Sequence, residues 1–312
     1  MLAIIVVLYK SEADVRLFWQ SLARQSLTEF HLIAINNPAG GPPEAADYLE
    51  HAEDPRIAVI RNKENVGFAR AVNQGLRQGY EQGCDRFLLL NPDTLFDSAF
   101  LQELDAVWTR SSASVIAPRI MYANDLSAAW YAGGHFDYGY VFTPRHDAYT
   151  EGVKTKTVEY ASGCCLGITR AVLEQVGLLD ENFFVYFEDA DFSLRLRTSG
   201  ISIHYVEHPY LLHKSGASSG GEFSPAATLL FYKSYAQFLR KHCGLPETLR
   251  NVIRIGRIEA ARTGKPTGHA GRVLRALARG LLPQLRPMPR LVPTTIRGSG
   301  TGLGQNTSGL DQ

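Results

Sequence analysis

Cysteine is scarce in this chain: four stand among 312 residues, Cys84, Cys164, Cys165 and Cys243, and none forms a C-x-x-C pair. Adjacent Cys164 and Cys165 are poorly placed to bridge each other. A disulfide-stapled scaffold is therefore excluded, and reduced core thiols in a cytosolic protein are expected. Long apolar runs are missing as well. The opening Leu2 to Leu8 run follows no basic stretch and is too short for a signal peptide or a membrane span. An excess of one charge sign is also absent. The net charge is +1, which leaves no global field to attract nucleic acid, so no nucleic-acid partner is expected. No internal repeat occurs.

What is present suits a large soluble enzyme. The chain is long enough to bury a sizeable core. Its hydrophobic fraction of 45% and charged fraction of 20% are ordinary for a globular fold. Strand-like runs fall at Leu2–Leu8, Phe30–Ile35, Ile57–Ile60, Phe87–Leu90 and Val115–Ala117. Helical patterns lie between them, around Val15, Phe18 and Leu22, at Ala45–Ala52, at Ala69–Gly79 and at Ala99–Trp108. Such alternation predicts an α/β fold with a mostly parallel, Rossmann-like sheet covered by helices on both faces. Ligands of these sheets bind outside the carboxyl ends of the strands. The residues just past those ends are Tyr9-Lys10, Asn36-Asn37, Arg61-Asn62 and Asn91-Pro92-Asp93, read here as one polar rim. Residues 119–165 change character, with glycine, tyrosine and alternating patterns that predict loops and β-ribbons. Helices are expected from Thr169 to Gly177, from Glu188 to Gly200 and over Ala226–His242. Strands are expected at Ile201–Val206 and Tyr210–His213. The organisation expected is a catalytic domain over 1–244, a basic helical extension over 245–297, and a disordered Gly/Ser/Thr-rich tail over 298–312.

Three stretches carry candidate chemistry. Pro92 cannot donate to a sheet ladder, so the strand stops there and Asp93 projects from the sheet edge. A hard cation takes one or two carboxylates plus substrate phosphates, which makes Asp93 a candidate metal or diphosphate ligand; Asn91-Pro92-Asp93-Thr94 is also good turn chemistry. Glu188-Asp189-Ala190-Asp191 packs three carboxylates beside Phe184, Tyr186 and Phe187. Partial burial would split their pKa values, and a base for a hydroxyl needs one carboxylate in reach of the proton. A helix N-terminus there would favour the ionised form. The plainer alternative is an acidic first turn with Asp191 paired to Arg195. His213 ends the apolar run Tyr210-Leu211-Leu212, as a core histidine or as a metal ligand. It is followed by a donor-rich loop, Lys214 to Ser219, able to close over phosphates. Asn65 and Gly67 shape a tight turn into a helix whose N–H groups could meet an anion or a nucleoside.

In this order the stretches resemble the nucleotide-sugar glycosyltransferases of family 2, in particular the rhamnosyltransferase-like branch. The resemblance runs from about Ile4 to Ser219. It rests on Val6-Val7-Leu8-Tyr9, Asn65-Val66-Gly67-Phe68-Ala69 with Asn73 and Gly75, and Leu90-Asn91-Pro92-Asp93. Further on it rests on Ser162-Gly163-Cys164-Cys165-Leu166, Val176 to Phe184, Glu188-Asp189-Ala190-Asp191 and His213. It implies a GT-A fold, an inverting mechanism and a Mg²⁺ or Mn²⁺ ion. Asp93 and His213 would hold the metal. Leu8, Tyr9, Asn36, Asn37, Asn65, Gly67, Asn73, Asn91 and Asp93 would contact the nucleotide. Asp189 would be the base, with Glu188, Gly163 and Trp130 on the acceptor and sugar side. Asn36 stands where the pattern has Asp, and Lys10 where it has Asn.

The implied partners are a dTDP- or UDP-linked sugar, with rhamnose favoured, and a glycan or polyprenyl-linked acceptor used in cell-surface polysaccharide synthesis. The location implied is cytoplasmic, peripheral on the inner face of the plasma membrane. Between Arg250 and Arg297 stand eleven Lys/Arg and one acid, Glu259. Arg-rich helices carrying Leu274, Leu277 and Leu281 on one face would suit an anionic membrane surface. Two alternatives are a nucleotidyltransferase and a non-catalytic nucleotide-sugar-binding protein on a similar fold. The first lacks a Gly-rich triphosphate loop near the N-terminus, and the second is at odds with the retained Asp93, Glu188 and Asp189.

Overall fold

The computed structural model describes residues 1–38, 44–214, 224–263, 268–282 and 287–291. The expected closing loop after Lys214 and the expected tail lie outside the described residues. In chain order the first half contains β1 (Leu2–Leu8), α1 (Val15–Ala23), β2 (Phe30–Asn36), α2 (Glu44–Glu50), β3 (Ile57–Arg61), α3 (Phe68–Glu81), β4 (Arg86–Leu90), β5 (Thr94–Leu95), α4 (Phe100–Ser111) and β6 (Val115–Tyr122). The ribbon region follows with β7 (Asp125–Tyr131), β8 (Gly134–Asp137), β9 (Thr143–His146) and β10 (Thr155–Val158). Then come β11 (Cys165–Thr169), α5 (Arg170–Val176), α6 (Glu188–Thr198), β12 (Ile203–His213), α7 (Pro225–His242), α8 (Leu245–Thr263) and α9 (Gly268–Gly280).

The main sheet has the order β10-β12-β6-β11-β4-β1-β2-β3. β1 pairs in parallel with both β2 and β4, and β2 with β3. Every residue of β1 is buried, as expected of a strand covered on both faces. Because Leu8 stands opposite Asn36, the chain leaves β1 and β2 at the same edge, and Tyr9 and Asn37 emerge together. β11 runs antiparallel to β4 and β6 and fills the gap between the two parallel groups. α3 lies close on the sheet because Gly75 faces it: a Cβ there would stand 2.6 Å from an Ile5 methyl.

β12 lies parallel to β6, with one interruption. Val206 pairs with Pro118 and Tyr210 with the next residue, Arg119, so residues 207–209 bulge out between adjacent rungs. Past the bulge, β12 also receives the two-residue strand β5, with Thr94 opposite His213.

A second apolar cluster sits beside the sheet. It joins Phe136 and Phe142 of the ribbons, Phe183, Phe187 and Ala190 near α6, Phe238 and Leu239 of α7, Ile255 of α8, and Val273 and Leu277 of α9. This corrects the expected membrane face of α9. Leu277 is fully buried in that cluster and Leu281 packs against it, so only Leu274 of the three is exposed. Periodicity located an apolar stripe, but α7 covers most of it.

Candidate functional site

The rim residues open into a cavity of about 470 Å³. Its walls come from the ends of β1, β2 and β4 (Tyr9, Lys10, Asn37, Asn91, Asp93), from the turn before α3 (Asn65, Gly67, Phe68), from Trp130 and His146 of the ribbons, from Tyr160 to Cys164, from Phe184 to Asp189, from His213, and from the start of α7.

The nucleotide-side turn is built by two asparagines. The Asn37 amide donates to Asn65 Oδ1 (2.8 Å), and the Val66 N–H donates to Asn37 Oδ1 (2.9 Å). The Gly67 N–H donates to the same Asn65 oxygen (2.9 Å), which closes an Asx turn. Gly67 has φ +88°, and a Cβ there would stand 2.6 Å from the Phe184 carbonyl oxygen. The neighbouring Phe68 N–H donates to that same oxygen at 2.6 Å. Gly67→Ala is therefore expected to destabilise the fold by roughly 1–3 kcal/mol through left-handed strain and displacement of the 184–187 loop. Chemical denaturation of the variant beside the parent measures it; an unchanged midpoint would contradict the close approach.

Three residues expected at the nucleotide do not line the cavity. Asn73 is fully buried in α3, where its amide donates to the Leu179 carbonyl (2.9 Å) and its oxygen accepts from the Leu179 N–H (3.0 Å). It clamps the segment leading to α6 and has no face left for a ligand. Leu8 is a core side chain and Asn36 a buried strand end, both behind the wall that Tyr9 and Asn37 form. Arg61 of the expected rim turns outward to Asp47 and Glu50 of α2.

The β5–β12 pairing explains the meeting of Asp93 and His213. With Thr94 opposite His213, the preceding Asp93 reaches the imidazole, and its Oδ2 lies 3.3 Å from His213 Nε2. Both residues are buried, and Asp93 Oδ1 and His213 Nδ1 have no hydrogen-bond partner. Burial pulls the imidazole down, but the Cys164 sulfur and the Asp93 carboxylate outweigh it and raise His213 to about 10. Buried polar atoms without partners are costly, and a divalent cation at Asp93 would give its Oδ1 a partner. The donor set, one carboxylate and one imidazole, fits an ion that takes its remaining ligands from phosphate and water. No cluster of three protein ligands occurs among the described residues.

Glu188 and Asp189 open α6 behind an unusual approach. Tyr186 and Phe187 both have φ 68°, two consecutive aromatic residues in the left-handed region. The loop is held from three sides: the Phe68 N–H on Phe184 O, the Ser234 hydroxyl on Val185 O (2.7 Å), and Phe187 packed among Phe231, Tyr235 and Phe238. Asp189 Oδ2 accepts from the Tyr160 hydroxyl and from the Gly163 N–H, each at 3.0 Å, and Oδ1 accepts from the Ala190 N–H at 2.7 Å. Glu188 is buried, with one carboxyl oxygen unpartnered.

Burial raises both carboxyls, Glu188 well above the usual range because the Asp189 charge adds to it. The expected helix-dipole preference for ionised side chains is thus outweighed by desolvation. Only Asp189 has three donors to lower it again, so the charge of the pair resides there and Glu188 carries the proton. Asp191 faces the other way. It pairs with Arg195 as expected (2.9 Å), and also with Lys241 (2.6 Å) and His242 (2.8 Å) of α7.

Residues 162–164 link the two centres: Gly163 touches Asp189, and Cys164 sits beside His213 while its carbonyl accepts from the Asn91 N–H (3.0 Å). Trp130 meets the His213 ring edge-on (4.5 Å between centroids) and the His146 ring likewise (4.8 Å). His146 in turn stacks on Tyr160. Sequence reasoning missed Tyr160 and His146. Tyr160 stands two residues before the quoted Ser162-Gly163 stretch, whereas nothing local marks His146.

Comparison with known proteins accords with this geometry. Residues 3–177, more than half of the chain, match the family model of glycosyl transferase family 2. The chain is 27% identical over 205 residues to the low-salt glycan biosynthesis hexosyltransferase Agl10 of Haloferax volcanii, covering 65% of this chain and 63% of that protein, just under two thirds of its length. It is 28% identical over 239 residues to an N-acetylglucosaminyl-diphospho-decaprenol L-rhamnosyltransferase of Mycobacterium tuberculosis, covering 68% of this chain and 75% of that protein. Among solved structures it is similar to GalNAc-T7 crystallised with UDP, GalNAc and Mn²⁺ (TM-score 0.61, 11% identity, 93% of this chain and 55% of that one). It is also similar to residues 1–349 of S. aureus TarS in complex with UDP-GlcNAc (TM-score 0.51, 14% identity, 89% and 88%). At such identities these two speak for the fold, which is GT-A, and the family match over more than half the sequence shows that the chain belongs to glycosyl transferase family 2.

Proposed function

We propose that the protein is an inverting glycosyltransferase that moves a sugar, rhamnose favoured, from a dTDP- or UDP-linked donor to a hydroxyl of a glycan or polyprenyl-linked saccharide. It would work in cell-surface polysaccharide synthesis, in the cytoplasm at the inner face of the plasma membrane. The catalytic domain spans 1–244, with the helices after 245 as its extension. The observation that carries the proposal is the placement of a buried Asp93–His213 corner and a separately held Asp189 in one cavity.

Each residue has a distinct task. Tyr9 and the Asn37–Asn65–Gly67 turn receive the nucleoside, and Asn91 flanks Asp93 at the diphosphate. Asp93 and His213 would hold Mg²⁺ or Mn²⁺, which supplies positive charge against the departing diphosphate. Asp189, its oxygens oriented by Tyr160, Gly163 and Ala190, accepts the acceptor's hydroxyl proton. The acceptor oxygen then bonds to the anomeric carbon as the carbon–oxygen bond to the diphosphate breaks, so one displacement inverts that centre. Glu188, protonated, offers a hydrogen-bond donor to a sugar hydroxyl, and Gly163 and Trp130 bound the space beside it.

A thermal-shift panel of dTDP-, UDP- and GDP-sugars, each with and without Mg²⁺ or Mn²⁺, tests the proposal. Stabilisation by a pyrimidine nucleotide sugar that needs the cation, followed by release of free nucleoside diphosphate once an acceptor is added, is expected. Stabilisation without any turnover across a panel of acceptors would favour a binding protein; no stabilisation by any nucleotide sugar would overturn the proposal.

A further inference from the structure

The outer faces of α8 and α9 form a surface that sugar transfer does not use. On α8, Leu245, Leu249 and Ile253 recur at every fourth position and are 67%, 45% and 55% exposed. On α9, Leu274 is 51% exposed, and Leu282 just beyond it 63%. Residues spaced by four share a helix face, so the α8 positions form one stripe. The two helices are neighbours: a Cβ on Gly256 would stand 3.3 Å from the Leu274 side chain.

The charge on this surface is predominantly positive. Arg250 and Arg257 of α8 and Arg275 and Arg279 of α9 are exposed. α9 contains no acid, and of the two in α8, Glu259 is buried and Glu247 is paired with Arg250. Apolar side chains interleaved with arginines on a two-helix outer layer match what an anionic bilayer surface binds. A second copy of the same face would set arginine against arginine.

The surface also has a fixed relation to the cavity. The Thr248 hydroxyl donates to Leu239 O, and Asn251 and Tyr235 hold the N–H and the carbonyl of Phe142 respectively. Advancing along α8 therefore means retreating along α7, toward the end of α7 where Ala227 and Phe231 line the cavity. Leu245, Leu249 and Ile253 stand at the start of α8, beside the Leu239 end of α7 and away from that cavity-lining end.

We propose that the α8–α9 face docks the protein on an anionic lipid surface, with Leu245, Leu249 and Ile253 entering the headgroup layer and the four arginines lying over acidic headgroups. The docking does not depend on the identity of donor or acceptor. It is tested by flotation of the full chain with phosphatidylcholine vesicles, with and without phosphatidylglycerol, at low and at raised salt. The parent is expected to float with anionic vesicles only, and less as salt rises. The variant Leu249→Gln/Ile253→Gln and the variant with Arg250, Arg257, Arg275 and Arg279 all changed to Gln are both expected to stay behind. Each arginine lost should weaken binding about five-fold. Both should keep the parent's thermal transition and its turnover on a soluble acceptor, since none of these residues lines the cavity. A parent that ignores anionic vesicles at low salt, or variants that float as the parent does, would overturn the proposal. So would light scattering that shows a dimer abolished by Leu249→Gln/Ile253→Gln. The parent's preference for anionic over neutral vesicles needs no substitution and tests the charge requirement by itself.

Discussion

Asp189→Asn lowers turnover by about 10²–10⁴-fold, the usual worth of a positioned general base. The substitution keeps the size of the side chain and an oxygen able to accept from the Tyr160 hydroxyl and the Gly163 N–H, while the new amide NH2 faces the Ala190 N–H, a cost confined to the first turn of α6. The fold and the affinity for the nucleotide sugar are therefore expected to stay near those of the parent, so the loss falls on kcat rather than on donor binding. The pH profile gives a second readout. Burial raises the Asp189 carboxyl, and only its ionised form accepts a proton, so activity falls on the acid side at a pH above the ordinary aspartate range. Steady-state kinetics with a defined acceptor, beside calorimetric titration of the donor, measures both effects. Near-normal turnover in a folded Asp189→Asn protein would remove Asp189 from the role of base.

Asp191→Ala is expected to cost up to about 3–5 kcal/mol of stability, because it takes the counter-charge from half-buried Arg195, removes a partner of His242 and leaves Lys241 with Asp180 alone. Asp191 has a fully buried side chain and accepts from Arg195, Lys241 and His242. Burial alone would raise its carboxyl, but His242, Arg195 and Lys241 outweigh that and hold it well below the usual carboxylate range. A group whose folded pKa is depressed contributes its stability above the unfolded value, about 3.9, and loses it as pH falls toward the folded one. The stability gap between parent and variant should therefore be constant near neutrality and shrink below about pH 4. Urea denaturation across that range checks it; a gap that widens in acid would contradict the sign.

The parallel half of the fold was legible because its strands are short runs buried on both sides. Leu2–Leu8 coincides with β1, and Phe30–Ile35 falls one residue short of β2. The ribbon region was legible only as a type, since β10 reads Thr155-Lys156-Thr157-Val158, with one buried side chain to show for four residues. The Asp93–His213 contact could be expected only through resemblance, because a two-residue strand, β5, brings the two together. Asn73 misled for a related reason. A polar residue on the first turns of a rim helix looks the same in sequence whether it faces a ligand or a backbone segment 106 positions away. Leu277 did so too: a helix stripe shows that something covers it, not whether that is lipid or α7.

The detour in β12 has a consequence for how such chains can vary. Val206 and Tyr210 occupy consecutive rungs against Pro118 and Arg119, so the three intervening residues contribute no step to the ladder. Lengthening, shortening or excising that excursion leaves the count of rungs up to His213 unchanged, and with it the side of the sheet to which the imidazole turns. A single residue added between Tyr210 and His213 would instead reverse that side. The strand therefore places a segment whose length the β6 ladder does not fix directly ahead of one whose length it does.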